Sequence, residues 1–194
     1  MNKDEILNAA TYLLNATLEA KEVDRISSRF ESFSLDESYS VQRQGMLLRQ
    51  ERGAKFLGWK MGLTSEAKRT QMNLNSAIFG YLHDEGLVSG PEFSFEKLIH
   101  PKIEPEIGFR MKKTIHGKVS FEEAADAIES VAAACEIIDS RFIGFKYFSL
   151  PDVVADNCSA SHYVWGPEVK NFDLHKLGEL KMELLLNNEV VQSA

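Results

Sequence analysis

The chain has 194 residues, of which 44% are hydrophobic and 26% charged, with a formal net charge of −7. That balance excludes a collagen, a disordered tail and a disulfide mini-scaffold, and a chain of this length buries about 70% of its unfolded surface. The acidic balance disfavours nucleic acid or an anionic membrane as the main partner, since both need a basic footprint.

Residues 4–20 carry Ile6, Leu7, Ala10, Leu13, Leu14 and Leu18 at helical spacing, so an amphipathic helix opens the chain. Residues 1–22 lack the apolar stretch of a signal peptide and, with four acidic residues, do not suit a mitochondrial presequence. Residues 21–33 are polar and read as a loop. Ser34 and Glu37 form a capping-box pattern ahead of a second helix that ends near Arg52, before Gly53.

Residues 54–62 (AKFLGWKMG) alternate as a strand, with Phe56, Gly58 and Lys60 on one face and Leu57, Trp59 and Met61 on the other. A short polar helix follows over 65–73, then a short strand around IFGYL. Residues 102–111 (KIEPEIGFRM) alternate again, placing Glu104, Glu106, Gly108 and Arg110 on one side. Ser120 and Glu123 cap an expected helix over FEEAADAIESVAAA (121–134), and ACEIIDS (134–140) reads as a strand. A loop from Arg141 to Leu150 leads to PDVVADNCSASHYVWGP, which Gly166–Pro167 should end. KMELLLNNEVV (181–191) looks like a hairpin turning at Asn187–Asn188, with a returning strand that has barely begun.

Glu104 and Glu106, at i and i+2 on a strand, point the same way. A divalent cation between them would relieve their repulsion, and hard oxygen ligands suit Mg²⁺, Mn²⁺ or Ca²⁺. A solvated strand face is the alternative. Pro105 has no N–H to give a ladder, which favours an edge strand. Glu136, an acid in the apolar run AAACEII, could be the third ligand, or could pair with Arg110 or Arg141. Lys60 lies beside Gly58 and Gly62, as a proton-transferring lysine or a surface one. Asp156, Asn157, Ser159 and Ser161 form a polar cluster that would bind substrate or merely make turns. Cys135 and Cys158 read as reduced residues of an intracellular protein. No zinc, nucleotide-binding or nucleophile-elbow motif is present.

Four ordered blocks, GWKMGLTS (58–65), HPKIEPEIGF (100–109), CEIIDSR (135–141) and LPDVVADNCSAS (150–161), resemble the fumarylacetoacetate hydrolase superfamily. The likeness is closest to its hydratase/decarboxylase branch. It implies an α+β fold, with a mixed β-structure flanked by helices and an N-terminal helical segment. The expected organisation is a helical segment over residues 1–53 and a catalytic β-rich core over 54–194, together a single domain from which the family's C-terminal part is missing. By position, Glu104, Glu106 and Glu136 become metal ligands for Mg²⁺ or Mn²⁺, with no organic cofactor. Lys60 becomes the catalytic lysine, while Asp156, Asn157, Ser159 and Ser161 contact substrate.

Within the branch, the run FKYFSLPDVVADN (145–157) looks like the decarboxylase form. Ile78, ahead of Phe79–Gly80, stands where hydratases tend to carry an aspartate. The expected activity is therefore decarboxylation of 2-oxohex-3-enedioate (4-oxalocrotonate), in the meta-cleavage degradation of aromatic compounds. Hydration of 2-hydroxypenta-2,4-dienoate, acylpyruvate hydrolysis using a residue such as His100, and a non-catalytic fold relative are the alternatives. The resemblance further implies a cytoplasmic homo-oligomer, a possible complex with the pathway hydratase, and neither nucleic acid nor membrane as partner.

Overall fold

The computed structural model describes residues 1–71, 74–145 and 149–193. The end of the expected helix over 65–73 and Lys146–Phe148 of the expected loop lie outside the described residues. Two compact units are present: Met1–Lys102 with Ile137–His162, and Ile103–Glu136 with the chain from Tyr163 onward.

The first unit is built on helix packing. α1 (Lys3–Glu19) and α2 (Leu35–Glu51) each begin with a complete capping box, Asn2 with Glu5 and Ser34 with Glu37. In each box two otherwise orphaned N–H groups are satisfied by side chains, which fixes where the helix starts. α1 ends at Ala20 in the left-handed region and α2 at Arg52, followed by Gly53 at φ +103. α1 packs on α2, and α2 packs on the short helix α5 (Leu150–Ala155). Ala9, Ala10, Leu13, Ile26, Val41, Phe142 and Ala155 form the core between them.

The same unit holds β1 (Phe56–Gly62), antiparallel to β2 (Ile78–His83), with the six-residue helix α3 (Glu66–Gln71) in between. Lys60 stands opposite Gly80. A register shift between Phe56 and Gly58 makes a bulge at Leu57 and breaks the expected alternation at its first residue. Phe56 accordingly meets Trp59 edge-to-face at 5.2 Å, although strict alternation assigns them to opposite faces.

Most of a three-stranded sheet belongs to the second unit, in the order β3–β4–β5, from Pro101–Met111, Ile128–Asp139 and Ala160–Lys170. Pro105 is therefore on an edge strand, where a missing N–H is tolerated. The helix expected over 121–134 is corrected here. α4 covers only Phe121–Asp126, and Ile128 already begins β4. Alanine favours helix locally, but β4 is the central strand and needs small side chains where its neighbour comes close. A Cβ on Gly166 of β5 would lie 2.6 Å from the Ala133 carbonyl oxygen.

β5 also runs through Gly166–Pro167 to Lys170, past its expected end. It is an edge strand, so Pro167 can sit in it, and Gly166 supplies the space its neighbour requires. β6 (Glu183–Leu186) and β7 (Glu189–Ser193) form the expected hairpin, with Asn187 and Asn188 at φ 52 and 67. The returning strand is paired as far as Ser193, opposite Glu183, rather than barely begun. No helix among the described residues is long and apolar enough to cross a membrane.

Candidate functional site

Three carboxylates converge in the second unit. Glu104 and Glu106 leave β3 on one face, and Glu136 comes from β4, the neighbouring strand. One oxygen from each lies within 4.8 Å of the other two. The set is graded in depth, with Glu136 buried, Glu104 half-buried and Glu106 exposed. Oxygens sharing a cation with bonds of about 2.1–2.5 Å stand roughly 3–5 Å apart, so the donor set and its span fit Mg²⁺ or Ca²⁺. Arg110 pairs with Glu168, 2.5 Å away, and Arg141 with Asp156.

Glu168 braces the sheet that carries this cluster. It accepts from Arg110 Nε, Ser130 Oγ and Trp165 Nε1 at 2.7, 2.6 and 3.2 Å. These donors, Arg110 first, hold its carboxyl down to about 2. Gly108 on β3 faces the Trp165 ring so closely that an added Cβ would lie 2.4 Å from it.

Lys60 lies in the first unit. Its Nζ donates to the Cys158 carbonyl at 3.3 Å, and its stem lies against Gly80. The polar cluster after α5 belongs to the same unit. Asp156 is wholly buried, with Arg141 Nε and the Arg141 backbone N–H both donating to its carboxylate. Burial pushes the Asp156 carboxyl up to about 6, against the downward pull of Arg141. Arg141 also donates to the carbonyls of Asp139 and Ala160, at 2.6 and 3.1 Å, so the pair knits three chain segments together.

Asn157 uses both ends of its amide on Tyr81, accepting from its N–H at 2.8 Å and donating to its carbonyl at 3.0 Å. Ser159 is buried, and Ser161 Oγ lies 2.8 Å from His162 Nδ1. His100, the residue considered for hydrolysis, has its Nε2 3.5 Å from a Glu22 oxygen, while Glu22 also accepts from the Gly144 N–H. Ile78 is buried against Val154 and Cys158, an apolar contact rather than a site group.

A cavity of about 40 Å³ in the first unit has Gln42, Arg49, His83, Arg141 and Asp156 in its lining, and none of the three glutamates. It has room for about one water molecule. Glu104, Glu106 and Glu136, the candidate ligands of the sequence, lie together in space. The Arg141–Asp156 pair and the Asn157 clamp were not visible there, because both join residues through tertiary contacts without a spacing rule. Gly80 was visible only as half of an aromatic–glycine pair.

The family model for the fumarylacetoacetate hydrolase C-terminal region matches residues 66–194. A 4-oxalocrotonate decarboxylase of Pseudomonas putida is 35% identical, the alignment covering 99% of this chain and 73% of that protein. A second 4-oxalocrotonate decarboxylase, from Pseudomonas sp. strain CF600, is 36% identical with the same coverages. A 2-hydroxypent-2,4-dienoate hydratase of Pseudomonas putida is 31% identical over 87% of this chain and 77% of its own length. Among solved structures, 4-oxalocrotonate decarboxylase from Pseudomonas putida G7, complexed with magnesium and adipate, superposes with a TM-score of 0.87 at 32% identity. That match covers all of this chain and 74% of the other. The same enzyme complexed with calcium and acetate gives 0.85. With matching motifs, matching fold and these identities, the chain belongs to the fumarylacetoacetate hydrolase family.

Proposed function

We propose that this protein is a metal-dependent decarboxylase acting on 2-oxohex-3-enedioate, releasing CO₂ and leaving 2-hydroxypenta-2,4-dienoate. The observation that carries the reading is the convergence of Glu104, Glu106 and Glu136 within 4.8 Å, in a chain 35% identical to a 4-oxalocrotonate decarboxylase. The three glutamates would hold Mg²⁺ or Mn²⁺, and no organic cofactor is required because the substrate's own 2-oxo group accepts the electron pair. When bound, such a cation supplies Lewis-acid polarisation of that oxo oxygen.

As the bond to the distal carboxylate breaks, its electron pair moves along the conjugated chain and negative charge develops on the 2-oxo oxygen. Lys60 is assigned as the donor that stabilises this charge and delivers the proton giving the dienol. A donor aimed where charge develops lowers the barrier most. Asp156, Asn157, Ser159 and Ser161 are assigned to shaping the substrate pocket, the first two through the framework bonds they make. The same reading gives residues 1–53 a scaffold role and residues 54–194 the catalytic one.

A cytoplasmic homo-oligomer, able to associate with the hydratase that consumes the product, completes the proposal. Its supports are the resemblance, the cysteines Cys135 and Cys158, both in thiol form, and the exposed apolar residues Leu57, Trp59 and Met61 of β1.

Hydration of 2-hydroxypenta-2,4-dienoate is the second reading, favoured by the hydratase relative at 31% identity. Ile78 opposes it, since a buried apolar side chain can neither donate nor accept a proton. Offering each substrate separately and identifying the products decides between them. The decarboxylase reading expects the dienol from 2-oxohex-3-enedioate and no 4-hydroxy-2-oxopentanoate from the dienol. Formation of the hydrated product alone would replace it with the second reading.

A further inference from the structure

The connection from α5 to β5 contains three consecutive residues in the left-handed region, Asn157, Cys158 and Ser159, at φ 52, 51 and 58. None is glycine. Such backbone is unfavourable for residues bearing a Cβ and persists where the surroundings over-determine it.

The surroundings here are the backbone of β2. The Asn157 amide takes both polar groups of Tyr81, and the Cys158 thiol donates to the Phe79 carbonyl at 3.1 Å. Between those two anchors sits Gly80. A Cβ there would lie 2.7 Å from the Asn157 carbonyl oxygen and 3.2 Å from Lys60 Cδ. The bare backbone of Gly80 thus lets the turn approach from one direction and the Lys60 stem from another. Lys60 is its partner in the ladder, and Lys60 Nζ donates to the Cys158 carbonyl at the crest of the turn.

We propose that the left-handed turn Asn157–Ser159, clamped to β2 across Gly80, is the positioning element for Lys60. The proposal rests on the reading of Lys60 as the donor to the developing enolate. An ammonium has three donors on a stem with free rotation. Fixing one donor on a rigid carbonyl and laying the stem on glycine restricts the orientation of the ammonium before substrate arrives. That ordering otherwise has to occur during the reaction. Asn157 and Gly80 are positioning residues in this account. Both polar ends of the Asn157 amide are already bonded to Tyr81.

The test uses Asn157→Gly, which tolerates the left-handed backbone but lacks the clamp, and Gly80→Ala, whose Cβ meets backbone. Folding of each is checked by circular dichroism and thermal melting. Two quantities are then read: steady-state constants with 2-oxohex-3-enedioate, and the rate of Lys60 reductive methylation, followed by peptide mass spectrometry. A released Lys60 should be methylated at least threefold faster. Its kcat should fall at least tenfold, with KM within threefold and Mg²⁺ affinity by calorimetry within twofold.

A folded variant with unchanged kcat, or with an unchanged Lys60 methylation rate, overturns the proposal. If Asn157→Gly does not fold, Gly80→Ala carries both measurements. If the wild-type protein does not turn over 2-oxohex-3-enedioate, the functional reading fails, and the methylation rate alone decides whether the turn holds Lys60.

Discussion

Asp156 and Arg141 form a wholly buried ion pair, and pairs of this kind respond asymmetrically to mutation. Removing one partner leaves an uncompensated charge in a low-dielectric interior, at a cost of about 3–5 kcal/mol. Asp156→Ala should lower unfolding free energy by that amount at pH 7, measured by urea denaturation. A loss below about 1 kcal/mol would mean that water reaches Arg141. Glu136 is tested through the cation it would hold. For Glu136→Gln, melting temperatures are compared without and with Mg²⁺. The rise on adding Mg²⁺ should disappear. For the wild type at 100-fold excess over Kd, binding contributes about 2.7 kcal/mol, or roughly 5–10 °C for a chain of this size.

At the scale of elements, the sequence was most legible where a side chain acts on its own backbone. The two capping boxes of α2 and α4 and the Asn187–Asn188 turn are local devices, and each lies where the pattern puts it. The misreadings concern strands whose neighbours decide them. The Ala-rich run before Glu136 has helix propensity, yet it is the middle strand of a sheet, and Pro167 is carried within an edge strand. Neither neighbour is visible in a local window. Two glycines mark those contacts. Gly166→Ala puts a Cβ against the Ala133 carbonyl, and backbone cannot swing aside as a side chain can. It should destabilise the protein by about 1–3 kcal/mol, whereas Gly178→Ala, with open space at its Cβ, should stay within about 0.5 kcal/mol. Equal effects would contradict the strand pairing described for β4 and β5.

For the whole molecule, acid sensitivity should trace in part to a buried histidine. Burial first, and then the Arg49 guanidinium, push His83 below its usual value, against the opposing pull of Glu85 and Asp84. The unfolded chain therefore takes up a proton before the folded one does. This group's share of stability is complete above about pH 6.5 and is lost as pH falls toward the folded value. His83→Gln should show a shallower decline in melting temperature between pH 7 and 5.5 than the wild type, and equal slopes would refute this assignment. The carboxylate cluster was legible at this scale too: Glu104 and Glu106 share a strand face by simple alternation, and Glu136 stood out as an acid in an apolar run. The framework bonds of Asp156 and Asn157 were not, because hydrogen-bond partners distant in sequence leave no periodic trace.

The central claim is that three strand carboxylates hold the cation on which decarboxylation depends. Its most direct test follows CO₂ release from 2-oxohex-3-enedioate by wild-type protein and by Glu136→Gln, each stripped with EDTA and then titrated with Mg²⁺. The account predicts no release by either stripped protein, full recovery by the wild type, and at least a tenfold deficit for Glu136→Gln at any Mg²⁺ concentration that saturates the wild type. Metal-independent release, or a Glu136→Gln variant that titrates like the wild type, would contradict it.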